Sequence, residues 1–169
     1  MSVTFLSAVA RFGRGDREEA AATLSQLLET ALREDDTEFL IESGPLAHVV
    51  TMNPDGSPQV TVVWIALDGD DVVSAHMSRY RKLRNIERDP RISISIQAPP
   101  QPGAFMADYA VLYGTATVET GGAPELLQRL GRLYVGPDFD FPLGPDPAPG
   151  YLLRTHVERV TGHGPWAAQ

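Results

Sequence analysis

Between Arg79 and Arg91 six basic side chains (Arg79, Arg81, Lys82, Arg84, Arg88 and Arg91) face two acidic ones, Glu87 and Asp89, in a chain whose formal net charge is −8. The segment carries +4 and leaves −12 for everything else. On a helical wheel Arg84, Arg88, Arg81, Asn85 and Lys82 fill one arc, and Ile86, Leu83 and Tyr80 the opposite one, so one side packs and the other is cationic. Ser78 is placed to cap the N-terminus, where free N–H groups and the helix dipole add to the attraction for an anion. A phosphate at residues 78–82 would meet backbone donors, a hydroxyl and several cations together. The competing reading is an ordinary solvated helix face. Against it stands Lys82, the only lysine among 14 basic residues, at a position where a compact point charge suits a phosphate.

The field around this patch selects the size of its partner. A long polyanion would be repelled almost everywhere else, so nucleic acid is not expected, and the flanks offer few stacking residues besides Tyr80. A small anionic ligand fits better. The chain has no cysteine, which removes disulfides, thiolate nucleophiles and cysteine-held metals. His48, His76, His156 and His163 lack paired ligand spacing, no Gly-x-Ser-x-Gly is present, and the acidic turn at 68–71 lacks the later glutamate of a calcium loop. No metal site is expected. No run approaches the roughly 18 apolar residues of a membrane span and no leader pattern opens the chain, so a cytoplasmic protein without a membrane partner is expected.

The elements that must position the patch are mostly strands. Leucines at intervals of three and four predict a helix over 16–33, and a short one follows at 36–42 before Gly44-Pro45. Residues 1–35 read as a helical extension, and 36–169 as one domain. The run 47–52, the turn Asn53-Pro54-Asp55-Gly56 and the run 59–67 predict a hairpin. A second turn at 68–71 leads into 72–76. Strict alternation of Ile92, Ile94 and Ile96 with Ser93 and Ser95 predicts a half-buried strand after Asp89-Pro90 ends the basic helix. A long strand over 105–119 follows, with Gly114 marking a bulge or a close backbone approach. Residues 125–134 read as a helix with buried leucines, 136–150 as a proline-rich loop or lid, and 151–161 as the last strand. Tight turns between the early strands favour a mainly β, α+β domain built on a six-stranded antiparallel barrel with flanking helices.

The stretches GSPQVTVVWIALDGDDVV and SRYRKLRNIERDPRISISI resemble the split β-barrel flavin and deazaflavin oxidoreductases related to pyridoxamine 5'-phosphate oxidase, and most of all the actinobacterial subgroup that uses coenzyme F420. The resemblance spans about residues 39–162. It is carried by Arg81, Lys82, Asn85, Ile86, Asp89, Pro90 and Arg91. It implies an oxidoreductase that transfers a hydride between F420 and a small organic substrate, as a homodimer with the cofactor between subunits. FMN is the alternative cofactor, and a non-catalytic cofactor-binding protein the alternative role. It implies a phosphate at Ser78, Arg79, Tyr80, Arg81 and Lys82, with Asn85 in the same motif, and a ring against Gln59, Val60, Thr61, Val62, Val63, Ala75 and His76. The abundance of arginine favours the longer anionic tail of F420. Pyridoxamine 5'-phosphate oxidase activity itself is not expected, because its C-terminal signature, a tryptophan well before an Arg-x-His segment, is not met in 155–169, where Trp166 stands near the very end instead. Tyr109, Tyr113 and His76 are conceivable proton donors, and no catalytic residue is assigned.

Overall fold

A computed structural model describes residues 46–100 and 102–163. The helices expected over 16–33 and 36–42, and the boundary at 35/36, lie outside the described residues. In chain order the elements are β1 (Ala47–Met52), β2 (Pro58–Val63), β3 (Ala66–Asp68), β4 (Asp71–His76), α1 (Arg81–Arg88), β5 (Arg91–Gln97), β6 (Tyr109–Thr120), α2 (Ala123–Tyr134) and β7 (Tyr151–His163).

All strand pairs are antiparallel, in the order β2-β1-β5-β6-β7-β4-β3. The sheet has seven strands where six are expected. The apolar run 59–67 does not stay on one neighbour: it leaves β1 after Val63, crosses at Trp64–Ile65 and joins β4 at the far end of the sheet. The two edge strands are therefore consecutive in the chain. Two linking residues draw the sheet's ends together and curl it into a split barrel, left open between β2 and β3. Tyr134 pins this crossover, its buried hydroxyl donating to the Ile65 carbonyl at 3.2 Å and accepting from the Ile65 amide at 3.5 Å.

The hairpin between β1 and β2 forms as its turn residues dictate. Gly56 adopts φ 82°, and the Asp55 carboxylate accepts from the Ser57 amide and hydroxyl at 2.9 and 2.6 Å. Gly114 sits at a register shift between β6 and β7, where a Cβ would lie 1.9 Å from the His156 carbonyl oxygen, so both roles expected of it are met. The long strand starts at Tyr109 rather than 105, and α2 starts two residues early, with Pro124 in its first turn.

Two apolar clusters result. Val49, Ile65, Val72, Ile92, Ile94, Leu112 and Leu153 fill the barrel, with Leu83 and Ile86 of α1 packed among them. Outside it, Leu126, Leu130 and Tyr134 of α2 pack on Ala66 of β3 and Val73 of β4. The two helices thus lie on different parts of the barrel, and a cleft opens between them.

Candidate functional site

The basic helix is held by a buried amide. Asn85 is 1% exposed, and the two hydrogens of its Nδ2 are shared among Gln59 Oε1 at 3.0 Å, Thr51 Oγ1 at 3.1 Å and Asn53 Oδ1 at 3.2 Å. Arg88 donates to Asn85 Oδ1 at 3.4 Å and to the Met52 carbonyl. These bonds tie α1 to the β1–β2 hairpin and correct the helical-wheel reading. Asn85 and Lys82 are not on a solvated arc, because the hairpin covers that side of the helix and both are buried. Thr51 and Asn53, which complete the network, carry no sequence signal beyond a strand and a turn.

The N-terminus of α1 also differs from expectation. Tyr80, not Ser78, occupies the cap position, and no side chain caps the helix. Ser78 is exposed and gives its carbonyl to the Tyr80 amide at 2.8 Å. Arg79 pairs with Glu87 at 2.6 Å, Arg84 donates to the Arg79 carbonyl at 2.6 Å, and Arg91 pairs with Asp89 at 2.6 Å. With Arg88 bonded as above, four of the six cations already have partners within the chain. The cationic track is shorter than the sequence implies.

What remains is Arg81, which is exposed, and Lys82, which is 7% exposed. Among the described residues Lys82 forms no hydrogen bond and no ion pair. Its Nζ lies 5.2 Å from the centre of the Tyr80 ring, and burial lowers its pKa below the ordinary lysine value. The side chain is largely buried while its ammonium opens to a cleft, so the charge is partly desolvated without a counter-charge, a cost that a bound anion would offset.

Lys82 faces a cleft of about 280 Å³ lined by Val62 and Val63 of β2, Trp64 of the crossover, Ala75 and His76 of β4, Leu127 and Leu130 of α2, and Phe141. The structure therefore brings together five of the residues named from the sequence: Val62, Val63, Ala75, His76 and Lys82. Gln59 lies in the Asn85 network instead. Val60 is exposed, as are Ser78, Arg79, Tyr80 and Arg81. Thr61 Oγ1 is the one buried side-chain polar atom without a hydrogen-bond partner among the described residues. His76 is 4% exposed, 3.0 Å from Ser74 Oγ through Nε2, and edge-on to Tyr80. Burial and then the Lys82 charge depress its pKa to about 3, so it is neutral near pH 7. Trp64, Leu127 and Leu130 were not foreseen as site residues, the two leucines reading only as core. Phe141 was foreseen only through the 136–150 segment, as part of a loop or a lid over substrate.

The matched family description is "Pyridoxamine 5'-phosphate oxidase", over residues 34–164. The chain belongs to this family. Among solved structures it is similar to an F420 reductase at 26% identity, covering 73% of this chain and 94% of that one, with a TM-score of 0.58. A conserved hypothetical protein of Mycobacterium tuberculosis matches at 20% identity, 79% and 85% coverage and a TM-score of 0.54. A Listeria innocua protein likened by its name to pyridoxamine 5'-phosphate oxidase matches at 16% identity, 76% and 96% coverage and a TM-score of 0.51. The last two share the fold. No curated protein matches the sequence significantly. Among the described residues no group of three or more His, Asp or Glu side chains is placed to hold a metal ion, and no helix is long and apolar enough to cross a membrane.

Proposed function

We propose that the protein is an F420-dependent oxidoreductase acting on a small organic substrate, with Lys82 as the principal contact for the cofactor's anionic tail. The observation that carries this reading is the largely buried Lys82 side chain, its ammonium open to a cleft and without an anion of its own. Arg81, exposed on the same turn, extends the positive field outward. These residues fit an anionic, ring-bearing cofactor. The similarity to an F420 reductase favours the deazaflavin. FMN stays as a second reading for a specific reason: with Arg79, Arg84 and Arg88 engaged internally, Arg81 and Lys82 match one phosphate monoester as well as a longer tail.

When bound, the deazaflavin supplies the redox chemistry, a hydride exchanged with the substrate while the accompanying proton is exchanged with solvent. The chain's own residues bind and orient. Lys82 fixes one end, Val62, Val63 and Ala75 give an apolar surface for the ring, and neutral His76 adds no charge to a site that already holds a buried cation. We further propose a homodimer with the cofactor between subunits. The outward face of edge strand β2 supports it, with Val60 and Val62 both more than half exposed.

Paired titrations with F420 and FMN test the reading, following Trp64 emission in a Trp166→Phe background at two salt concentrations. Saturable quenching by F420 at much lower concentration than by FMN is expected. A preference for FMN would move the protein to the flavin branch, and binding of neither would end the oxidoreductase reading.

A further inference from the structure

The cleft has two unlike walls. One carries Lys82 and His76; the other is Trp64, Leu127, Leu130 and Phe141. Two polar side chains close to the second wall, Tyr134 and Gln128, are already used. The Tyr134 hydroxyl, under a ring stacked on Trp64 at 5.3 Å, is spent on Ile65. The Gln128 amide is spent on the proline-rich segment: its Nε2 donates to the Phe139 carbonyl at 2.9 Å, and its Oε1 accepts from the Phe141 amide at 2.9 Å.

Those two bonds make the segment a strap rather than a free lid. Phe139 lies so close over Gly131 that a Cβ there would be 2.6 Å from its Cδ1. Phe141 meets Phe139 and Trp64 edge-on, at 6.1 and 6.2 Å between ring centres. The far end is also tied down, since the Pro149 and Gly150 carbonyls accept from the Ala123 and Gly121 amides. Phe141 is thereby presented to the cleft from a backbone held on both sides.

We propose that this apolar wall receives the second reactant, a flat and weakly polar molecule, and that Phe141 determines how large a ring system enters. A heterocycle rich in carbonyl and N–H groups would lose its water hydrogen bonds against this wall and regain few, since the wall's own side chains offer only the Trp64 indole N–H, whereas an apolar ring loses nothing. A volume of about 280 Å³ is at the low end for small-molecule sites, so one aromatic ring on the strap decides much of the space. That the occupant is a reactant rests on the oxidoreductase reading; that the wall binds such a molecule does not.

The test uses two neutral fluorescent probes, N-phenyl-1-naphthylamine and pyrene, whose four fused rings form a wider rigid plate than the naphthyl group, with F420 and FMN titrated in parallel. The full chain is expected to bind the naphthylamine saturably and pyrene at least tenfold more weakly. Phe141→Ala should raise pyrene affinity about tenfold and leave F420 and FMN affinity within twofold, whereas Lys82→Ala should do the reverse. Gly131→Ala, which displaces Phe139 and the strap without altering the wall's residues, should weaken naphthylamine binding, and it serves as the second probe of the wall if Phe141→Ala fails to fold by circular dichroism. Probe binding indifferent to both variants overturns the proposal. So does a loss of F420 or FMN affinity in Phe141→Ala equal to that in Lys82→Ala, which would give the wall to the cofactor ring. Phe141-dependent probe binding without binding of either cofactor would uphold the pocket and remove the oxidoreductase reading instead.

Discussion

The two helices that flank the cleft are built in opposite ways. The eight residues of α1 are mostly charged or polar, and its hold on the barrel combines Leu83 and Ile86 with a buried amide shared among three strand and turn side chains. The twelve residues of α2 bury Leu126, Leu127, Leu130 and Tyr134, and its Gln128 amide and Tyr134 hydroxyl are spent on the backbone of neighbouring segments. The difference shows where binding energy is kept in reserve. On the α1 side the Lys82 ammonium meets the cleft without an anion of its own; on the α2 side, apart from the Trp64 indole N–H, shape and apolar surface remain to recognise a ligand.

The largest effect expected within the fold is at the amide. Asn85→Ala removes the amide's own bonds and leaves Thr51 and Asn53 short of a donor, with only the 3.5 Å Thr51–Gln59 bond remaining, so chemical denaturation should show a loss of about 2–3 kcal/mol. Its counterpart on the other side, Tyr134→Phe, deletes a hydroxyl bonded to the Ile65 backbone and should cost about 1 kcal/mol. Equal losses at the two positions would remove the contrast between a polar and an apolar attachment.

His76 sharpens the comparison through pH. Its folded pKa, about 3, lies below the ordinary value of 6.5, so between these values the unfolded chain binds the extra proton and the folded chain does not. Stability is therefore expected to fall as pH is lowered through this window, by at most about 1.4 kcal/mol per unit. Above pH 6.5 the group contributes no pH dependence. Comparing the denaturation midpoint of His76→Gln with that of the parent from pH 7 to about 5, before most carboxylates titrate, should show a flatter dependence in the variant. The smallest effect is expected at Arg79. Its ion pair with Glu87 is exposed, and Arg79→Ala should leave the denaturation midpoint unchanged.

Much of the fold was legible because its signals are local. The turn at Asn53-Pro54-Asp55-Gly56, the alternation of Ile92, Ile94 and Ile96, the bulge at Gly114 and the leucine spacing of α2 each depend on a few adjacent residues. The break at Trp64–Ile65 was not legible, since both residues are apolar and the run 59–67 continues through them without punctuation. The split into β2 and β3 comes from pairing with β1 and β4, which lie far apart in the sheet. The site was half legible for the same reason. Lys82 announced itself by type, but a wheel assigns only one buried side to a helix, and α1 is covered on two. Leu127, Leu130 and Phe141 reach the cleft only through tertiary packing.

The central claim is that a buried, unpaired Lys82 holds the anion of a redox cofactor. Its most direct test is the affinity of the full chain and of Lys82→Ala for F420, with FMN in parallel, measured by Trp64 quenching. Loss of a charge-assisted bond to a phosphate predicts weakening by about 1.5–3 kcal/mol, roughly tenfold or more in Kd, for whichever cofactor binds. An unchanged Kd would contradict the account, placing the anion away from α1 and leaving the buried ammonium without a function.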